Sequence, residues 1–205
     1  MAPSSYSFLD GRRVAASCQA RRDRHLRCMT KITELRSRRA IAVEGEDRVP
    51  FLQGLVSNDV ALAVRGTAVW AALLSPQGKW LADFFIHSDG ERLLLDVERA
   101  QAEDLARRLS RFRLRSKVAL KVLDDWHVYA GWDGSPPAAV LCAPDPRLPE
   151  AGWRMLSPEP IETNATDADW DVHRLALGLP DGSRDLEADK SLLLEAGFDE
   201  LHGVS

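Results

Sequence analysis

Hydrophobic and polar positions along this chain fall into two rhythms, one with a period of two and one with a period between three and four. Ile41 and Val43 alternate with their neighbours, so residues 37–43 read as a strand that closes at Gly45. Val49, Leu52, Leu55 and Val56 share one helical face, which predicts a helix over 47–56. Pro50 is tolerated there because the first turn of a helix needs no amide donor. Ser57, Asn58 and Asp59 then end it, since their side chains compete for nearby backbone groups.

Residues 67–74 and 80–87 are strand-like runs joined by Ser75-Pro76-Gln77-Gly78-Lys79, and proline second with glycine fourth suits a type I turn. A turn over 88–91 leads to a third strand over 92–97, giving a meander. Leu105, Leu109 and Phe112 mark an amphipathic helix over 101–112, and strands follow over 118–123 and 127–132. From 133 to 160 the pattern weakens to an irregular connection or a weak strand pair. Thr166 reads as an N-cap with Asp169 three residues on, Trp170, His173, Arg174 and Leu177 follow at helical spacing, and Gly178 and Pro180 stop the helix. Meander and helix without a regular βαβ rhythm place the chain in the α+β class.

Composition narrows the chemistry. The 205 residues carry a formal charge of −4, but residues 1–28 hold six arginines against two aspartates. That leaves 21 basic against 29 acidic residues for the body. An acidic body excludes a protein built mainly to neutralise phosphates, so no nucleic-acid partner is expected. No apolar run approaches the roughly 20 residues of a membrane-spanning helix, so no membrane partner is expected either. Three scattered cysteines and five histidines show no zinc spacing, so no metal site is expected. The serine- and arginine-rich leader, 1–28, reads as disordered or transit-like. The location that follows is the cytoplasm of a bacterium, or the mitochondrial matrix if the leader is a transit peptide.

Gly78-Lys79 is not a phosphate loop, because Leu73 and Trp80 stand where that motif needs glycine and a hydroxyl residue. No G-x-G-x-x-G follows a strand, and no G-x-S-x-G elbow is present. Polar residues at the ends of apolar elements remain: Asn58, Asp59, Lys79, Asp83, Arg113, Arg115 and Glu195. Arg113 and Arg115 alternate with Phe112 and Leu114, a spacing that on a strand aims both guanidinium groups to one side for a carboxylate ligand. Glu195, set in Leu192-Leu193-Leu194-Glu195-Ala196-Gly197-Phe198, reads as a partly buried carboxylate suited to a heteroaromatic ring that offers two donors. No catalytic residue can be assigned from these features.

Five segments in order carry a resemblance: Phe51-Leu52-Gln53-Gly54-Leu55-Val56-Ser57-Asn58-Asp59-Val60, the 75–79 hairpin turn, Phe112-Arg113-Leu114-Arg115-Ser116-Lys117-Val118, Arg174-Leu175-Ala176-Leu177-Gly178-Leu179-Pro180, and the stretch from Leu194 to Ser205. Together they resemble the aminomethyltransferase-like folate-binding superfamily of the glycine-cleavage T-protein, and within it the YgfZ-type branch. The resemblance implies an α+β aminomethyltransferase-like fold of antiparallel meanders with packed helices over 29–205. It implies tetrahydrofolate as cofactor, with Glu195, Asn58, Asp59, Arg113 and Asp83 near it. It also implies work with iron–sulfur assembly proteins or client apo-proteins.

Two departures shape the expectation. T-proteins follow the hairpin turn with paired aspartates, whereas this chain has Ala82-Asp83, which disfavours aminomethyl transfer. The branch also carries K-G-C-x-x-G-Q-E just beyond the Gly203-Val204-Ser205 that ends this sequence, so the expectation is a region incomplete at its C-terminus, without the family's barrel. The alternatives are a tetrahydrofolate-dependent aminomethyltransferase and a non-catalytic folate-binding fragment.

Overall fold

The computed structural model describes residues 30–136 and 141–205. The leader, 1–28, lies outside the described residues. Among the described residues, nine strands form two antiparallel sheets and three α-helices accompany them, which bears out the α+β class. The strands are β1 (Lys31–Glu34), β2 (Arg38–Glu44), β3 (Ala68–Leu74), β4 (Trp80–Ser88), β5 (Leu93–Glu98), β6 (Ala119–Leu123), β7 (His127–Trp132), β8 (Leu141–Pro144) and β9 (Trp153–Ser157). The helices are α1 (Arg48–Gln53), α2 (Ala102–Arg111) and α3 (Asp167–Ala176).

The larger sheet has the order β3-β4-β5-β2-β6 and the smaller one β1-β7-β9-β8. The meander forms as its pattern predicts, with the Gly78 amide closing the turn onto the Ser75 carbonyl at 2.9 Å. Alternation along each strand of the larger sheet sorts side chains to two faces. Ile41, Val43, Val69, Ala71, Phe84, Ile86, Leu93, Leu95 and Val97 bury one face against Phe51 and Leu52 of α1 and Leu105 and Leu109 of α2. Ala40, Ala42 and Leu94, on the other face, meet Val128, Ala130, Trp132 and Leu156 of the smaller sheet, and Trp170 of α3 enters the same cluster.

The C-terminal segment closes the rest of that face. Leu186, Leu193 and Phe198 pack on Trp70, Trp80 and Phe85, with the Phe198 ring stacked 3.9 Å from Trp70. Backbone pairing fixes it, from Trp80 N–H to the Ser191 carbonyl (2.9 Å) and from Asp189 N–H to the Trp80 carbonyl (3.0 Å).

Three differences from the sequence pattern have local causes. α1 stops at Gln53, with Leu55 and Val56 in a following turn whose amides still reach the Leu52 carbonyl. β1 escapes the pattern because a four-residue strand shows too few alternations to register. The weak stretch after 133 contains the strand pair β8–β9, and β9 is interior to its sheet.

At α3, Thr166 Oγ1 accepts from the Asp169 amide at 3.2 Å, while Asp169 Oδ2 accepts from the Thr166 amide at 2.9 Å. This reciprocal cap satisfies two donors that the first turn leaves open. Thr166→Ala is expected to cost about 1 kcal/mol, read as a lower urea midpoint with an unchanged m-value.

Candidate functional site

On the face of the larger sheet opposite α1 and α2, several core-phase positions hold charged or polar groups instead of hydrocarbon. Asp96 is in phase with Leu94 on β5, Arg38 with Ala40 on β2, and Asp83 and His87 with Phe85 on β4. Arg154 comes across from β9, in phase with Leu156. Asp96 is 0% exposed and binds two guanidinium groups: Arg38 Nε donates to Oδ1 at 2.5 Å, and Arg154 donates to Oδ2 through Nη2 at 2.5 Å and Nε at 3.1 Å. Burial opposes ionisation of Asp96, but the flanking Arg154 and Arg38 outweigh it and hold the carboxyl below its ordinary range.

A second buried pair lies beside the first. Arg147 forks onto Asp145 (Nη2 to Oδ2 2.8 Å, Nε to Oδ1 3.0 Å) and donates from Nη1 to the Pro180 carbonyl at 2.9 Å. The Phe85 ring sits among three guanidinium carbons, those of Arg154 at 4.1 Å, Arg147 at 4.8 Å and Arg38 at 5.6 Å. Its quadrupole favours each of them.

Asp83 is buried beneath two indoles, accepting Trp70 Nε1 at 2.9 Å and Trp80 Nε1 at 3.2 Å. Burial pushes this carboxyl up, against the pull of Arg38. His87 is 0% exposed and neither ring nitrogen has a protein partner. Burial pushes its pKa down to about 4, so the imidazole is neutral at pH 7.

Arg38 carries this buried cluster to the lining of a cleft of about 400 Å³. Ser37 and Arg38 enter it from the start of β2, Glu98, Arg99 and Ala100 from the end of β5, and Asp181 and Arg184 from the loop after α3. Arg38 Nη1 lies 3.6 Å from Asp181. Glu98 accepts from the Ser183 amide (3.0 Å) and hydroxyl (2.7 Å), which ties β5 to the loop. Arg174 holds the loop from beneath through the Leu179 carbonyl (3.1 Å) and Asp185 (2.8 Å). Gly182, at φ +53°, fits because a Cβ there would lie 2.8 Å from Glu98 Oε2. The same Cβ would lie 3.9 Å from Asp83 Oδ1, so Asp83 lies just behind this wall.

The predicted site residues fall in different places. Asp83 adjoins the cleft. Asn58 is buried at the outer edge of β3, donating to the carbonyls of Trp70 (2.9 Å) and His202 (2.7 Å), and so holds the C-terminal segment to the sheet. Asp59 caps the 3₁₀ turn Val60–Leu62 through the Ala61 amide at 2.9 Å. Glu195 is exposed in the 3₁₀ turn Leu194–Ala196, so its expected partial burial is corrected: the apolar neighbours Leu193 and Phe198 turn inward and leave it outside. Arg113 and Arg115 are corrected likewise, since they lie in an exposed turn and not on a strand. That turn precedes β6 and adjoins the end of β2 remote from the cleft. Arg38, Asp96, Asp145, Arg147 and Arg154 escaped the pattern reading, although a charge in phase with core residues, as in Leu94-Leu95-Asp96-Val97, marks such positions.

Among the described residues, no group of three or more histidine, cysteine, aspartate or glutamate side chains is placed to hold a metal. The cleft instead suits an organic ligand bearing both donors and carboxylates. Its acids can accept from a heteroaromatic N–H and amino group, and Arg99, which uses only Nε within the fold, can fork onto a carboxylate, whereas Arg184 is already forked onto Asp171 (2.6 and 2.8 Å).

The chain is similar to the mitochondrial iron–sulfur cluster assembly factor IBA57 homologue of Mycosarcoma maydis, 37% identical over 85% of this chain and 49% of that protein. The corresponding protein of Pyricularia oryzae is 34% identical over 82% of this chain and 48% of its own length. The human IBA57 protein is 30% identical over 83% of this chain and 57% of its own. The chain thus spans about half the length of the curated relatives it matches. No protein-family model matches it. Among solved structures, the glycine cleavage system aminomethyltransferase T of Bartonella henselae superposes with a TM-score of 0.52 at 17% identity, covering 66% of this chain and 44% of that one. The fold is therefore aminomethyltransferase-like, and the chain belongs to the IBA57/YgfZ family.

Proposed function

We propose that this chain supplies the folate-binding part of an iron–sulfur cluster assembly factor, and that tetrahydrofolate binds in the Arg38–Glu98–Asp181 cleft. The observation that supports this most is a cleft presenting carboxylates and arginines together, with Arg38 of its lining fixed by a buried ion pair. Glu98 and Asp181 would accept from the pterin ring, and Arg99 would hold a glutamate carboxylate, while Arg184, forked onto Asp171, would keep the cleft wall in place. Bound tetrahydrofolate would supply nitrogen nucleophiles able to carry a one-carbon unit. Arg38, clamped by Asp96, would keep Asp181 oriented. Iron–sulfur assembly proteins or client apo-proteins are the proposed partners, because the relatives carry that description in their names. The same relatives are mitochondrial, which favours the matrix over the bacterial cytoplasm. No described helix is long and apolar enough to cross a membrane.

Aminomethyl transfer is the weaker reading. Ala82 packs into the core on the helix side of the sheet, and both oxygens of Asp83 are occupied by indole N–H groups. Ala82 has no carboxylate, and Asp83 is buried beneath the two indoles and not open to a reacting nitrogen. Calorimetric titration of tetrahydrofolate tests the site. Glu98→Gln should weaken binding about tenfold, the loss of one charge-assisted hydrogen bond, while Glu195→Gln should bind as wild type. Unchanged binding in Glu98→Gln, or loss only in Glu195→Gln, would move the site out of the cleft.

A further inference from the structure

The turn after α2 displays apolar side chains that the fold does not bury. Leu114 is 91% exposed and Phe112 54% exposed. Leu114 also has φ +39°, a region that disfavours any residue with a Cβ. Nothing in the local packing rewards that conformation, and a glycine or asparagine would adopt it more easily.

The turn is nonetheless held firmly. The Ser116 amide donates to the Arg113 carbonyl at 2.7 Å, and the Lys117 amide donates to Asp47 Oδ2 at 2.7 Å. Gly45 lies so close beneath that a Cβ there would come within 2.0 Å of the Lys117 carbonyl oxygen. A strained, exposed leucine on an anchored turn points to a role outside the fold.

Its neighbours say what kind. Arg111, Arg113 and Arg115 are exposed and enter no ion pair among the described residues, whereas Lys117 is paired with Glu46. The body of the chain is acidic, with 21 basic against 29 acidic residues outside the leader. A basic turn on an acidic body attracts an acidic surface at one place and repels it elsewhere, which fixes orientation as well as contact.

We infer that the Arg111–Lys117 turn is a docking element for a partner protein that presents clustered carboxylates around an apolar pocket, with Leu114 entering the pocket and the arginines forking onto its rim. Arginine rather than lysine favours carboxylates over a diffuse anionic surface. One leucine tip is also a small anchor for a bilayer. The inference is independent of the cleft, which lies at the other end of β2.

Fluorescence anisotropy of a labelled glutamate-rich peptide containing leucines, titrated with the full chain, tests it. Saturable binding is expected. It should weaken at least about tenfold for Leu114→Gly, for Arg113→Glu with Arg115→Glu, and for a peptide with glutamine in place of glutamate. Leu114→Gly relieves the strained φ, so its Tm should be no lower than wild type, which separates lost docking from lost folding. No binding of the glutamate peptide, equal binding of the glutamine peptide, or undiminished binding by Leu114→Gly would overturn the inference. So would Leu114-dependent sedimentation with phosphatidylglycerol vesicles without peptide binding, which would make the turn a membrane contact.

Discussion

Asp96→Asn is expected to lower the stability of this protein by about 3–5 kcal/mol, because it leaves two buried guanidinium groups with no charge between them. Asp96 has no exposed surface and accepts from both Arg38 and Arg154. Asparagine keeps the volume but removes the charge and places an NH₂ group against cationic donors. In a domain of this size each kcal/mol moves Tm by about 2–4 °C, so calorimetry should show a drop of about 6–20 °C. Asp104→Asn is the comparison. It removes a carboxylate that pairs with Arg107 and Arg108 on the exposed side of α2, and it should leave Tm within about 2 °C. Equal Tm values for the two variants would show that the buried cluster adds no more than a surface pair. The cleft should respond as well: an unclamped Arg38 no longer orients Asp181, so tetrahydrofolate affinity should fall in Asp96→Asn even where the protein remains folded.

The second large effect is a loss of stability in mild acid, caused by His87. Its pKa is pushed down to about 4 by burial, with the adjoining charges of Asp96 on β5, Arg154 on β9, Asp145 after β8 and Arg38 on β2 in partial opposition to one another. In the unfolded chain the imidazole takes a proton near pH 6.5, whereas the folded protein refuses it until about pH 4. The unfolded state therefore binds more protons in this window, and stability falls as pH is lowered through it. The loss is about 2 kcal/mol by pH 5 and about 3 kcal/mol by pH 4. Asp96 and Asp145 are held below the ordinary carboxylate range, so their contributions are lost at still lower pH. Urea melts at pH 7, 6 and 5 should show wild type losing this increment and His87→Leu retaining it. Parallel losses in the two proteins would assign the acid sensitivity to other groups.

Both effects arise at positions where strand periodicity is a partial guide. Alternation in Leu93-Leu94-Leu95-Asp96-Val97 puts Asp96 in phase with the core, yet it does not tell which partner neutralises the charge. Arg154 comes from β9, in a stretch whose apolar pattern is weak because this arginine occupies one of the buried positions. The cleft was illegible for a related reason. Its walls come from Ser37, Glu98 and Asp181, far apart in sequence, and they meet only because β2 lies beside β5 and the loop after α3 folds back onto Glu98. Glu195 shows the reverse error. Its apolar neighbours suggested burial, but a 3₁₀ turn sends Leu193 and Phe198 inward and leaves the carboxylate outside.

Local order was largely determined by the sequence alone. The meander, α2, the Thr166–Asp169 cap and the family resemblance all rest on residues within a few positions of one another, where side-chain period and backbone hydrogen-bonding chemistry act directly. Tertiary structure decided which charges are buried together, which face carries the cleft, and that Arg113 and Leu114 stand at the far end of β2 from it. Those outcomes depend on strand order and on the path of the C-terminal segment. The Arg38–Asp96–Arg154 cluster forms only because partners from three separate strands arrive at hydrogen-bonding distance, and no local pattern encodes that meeting.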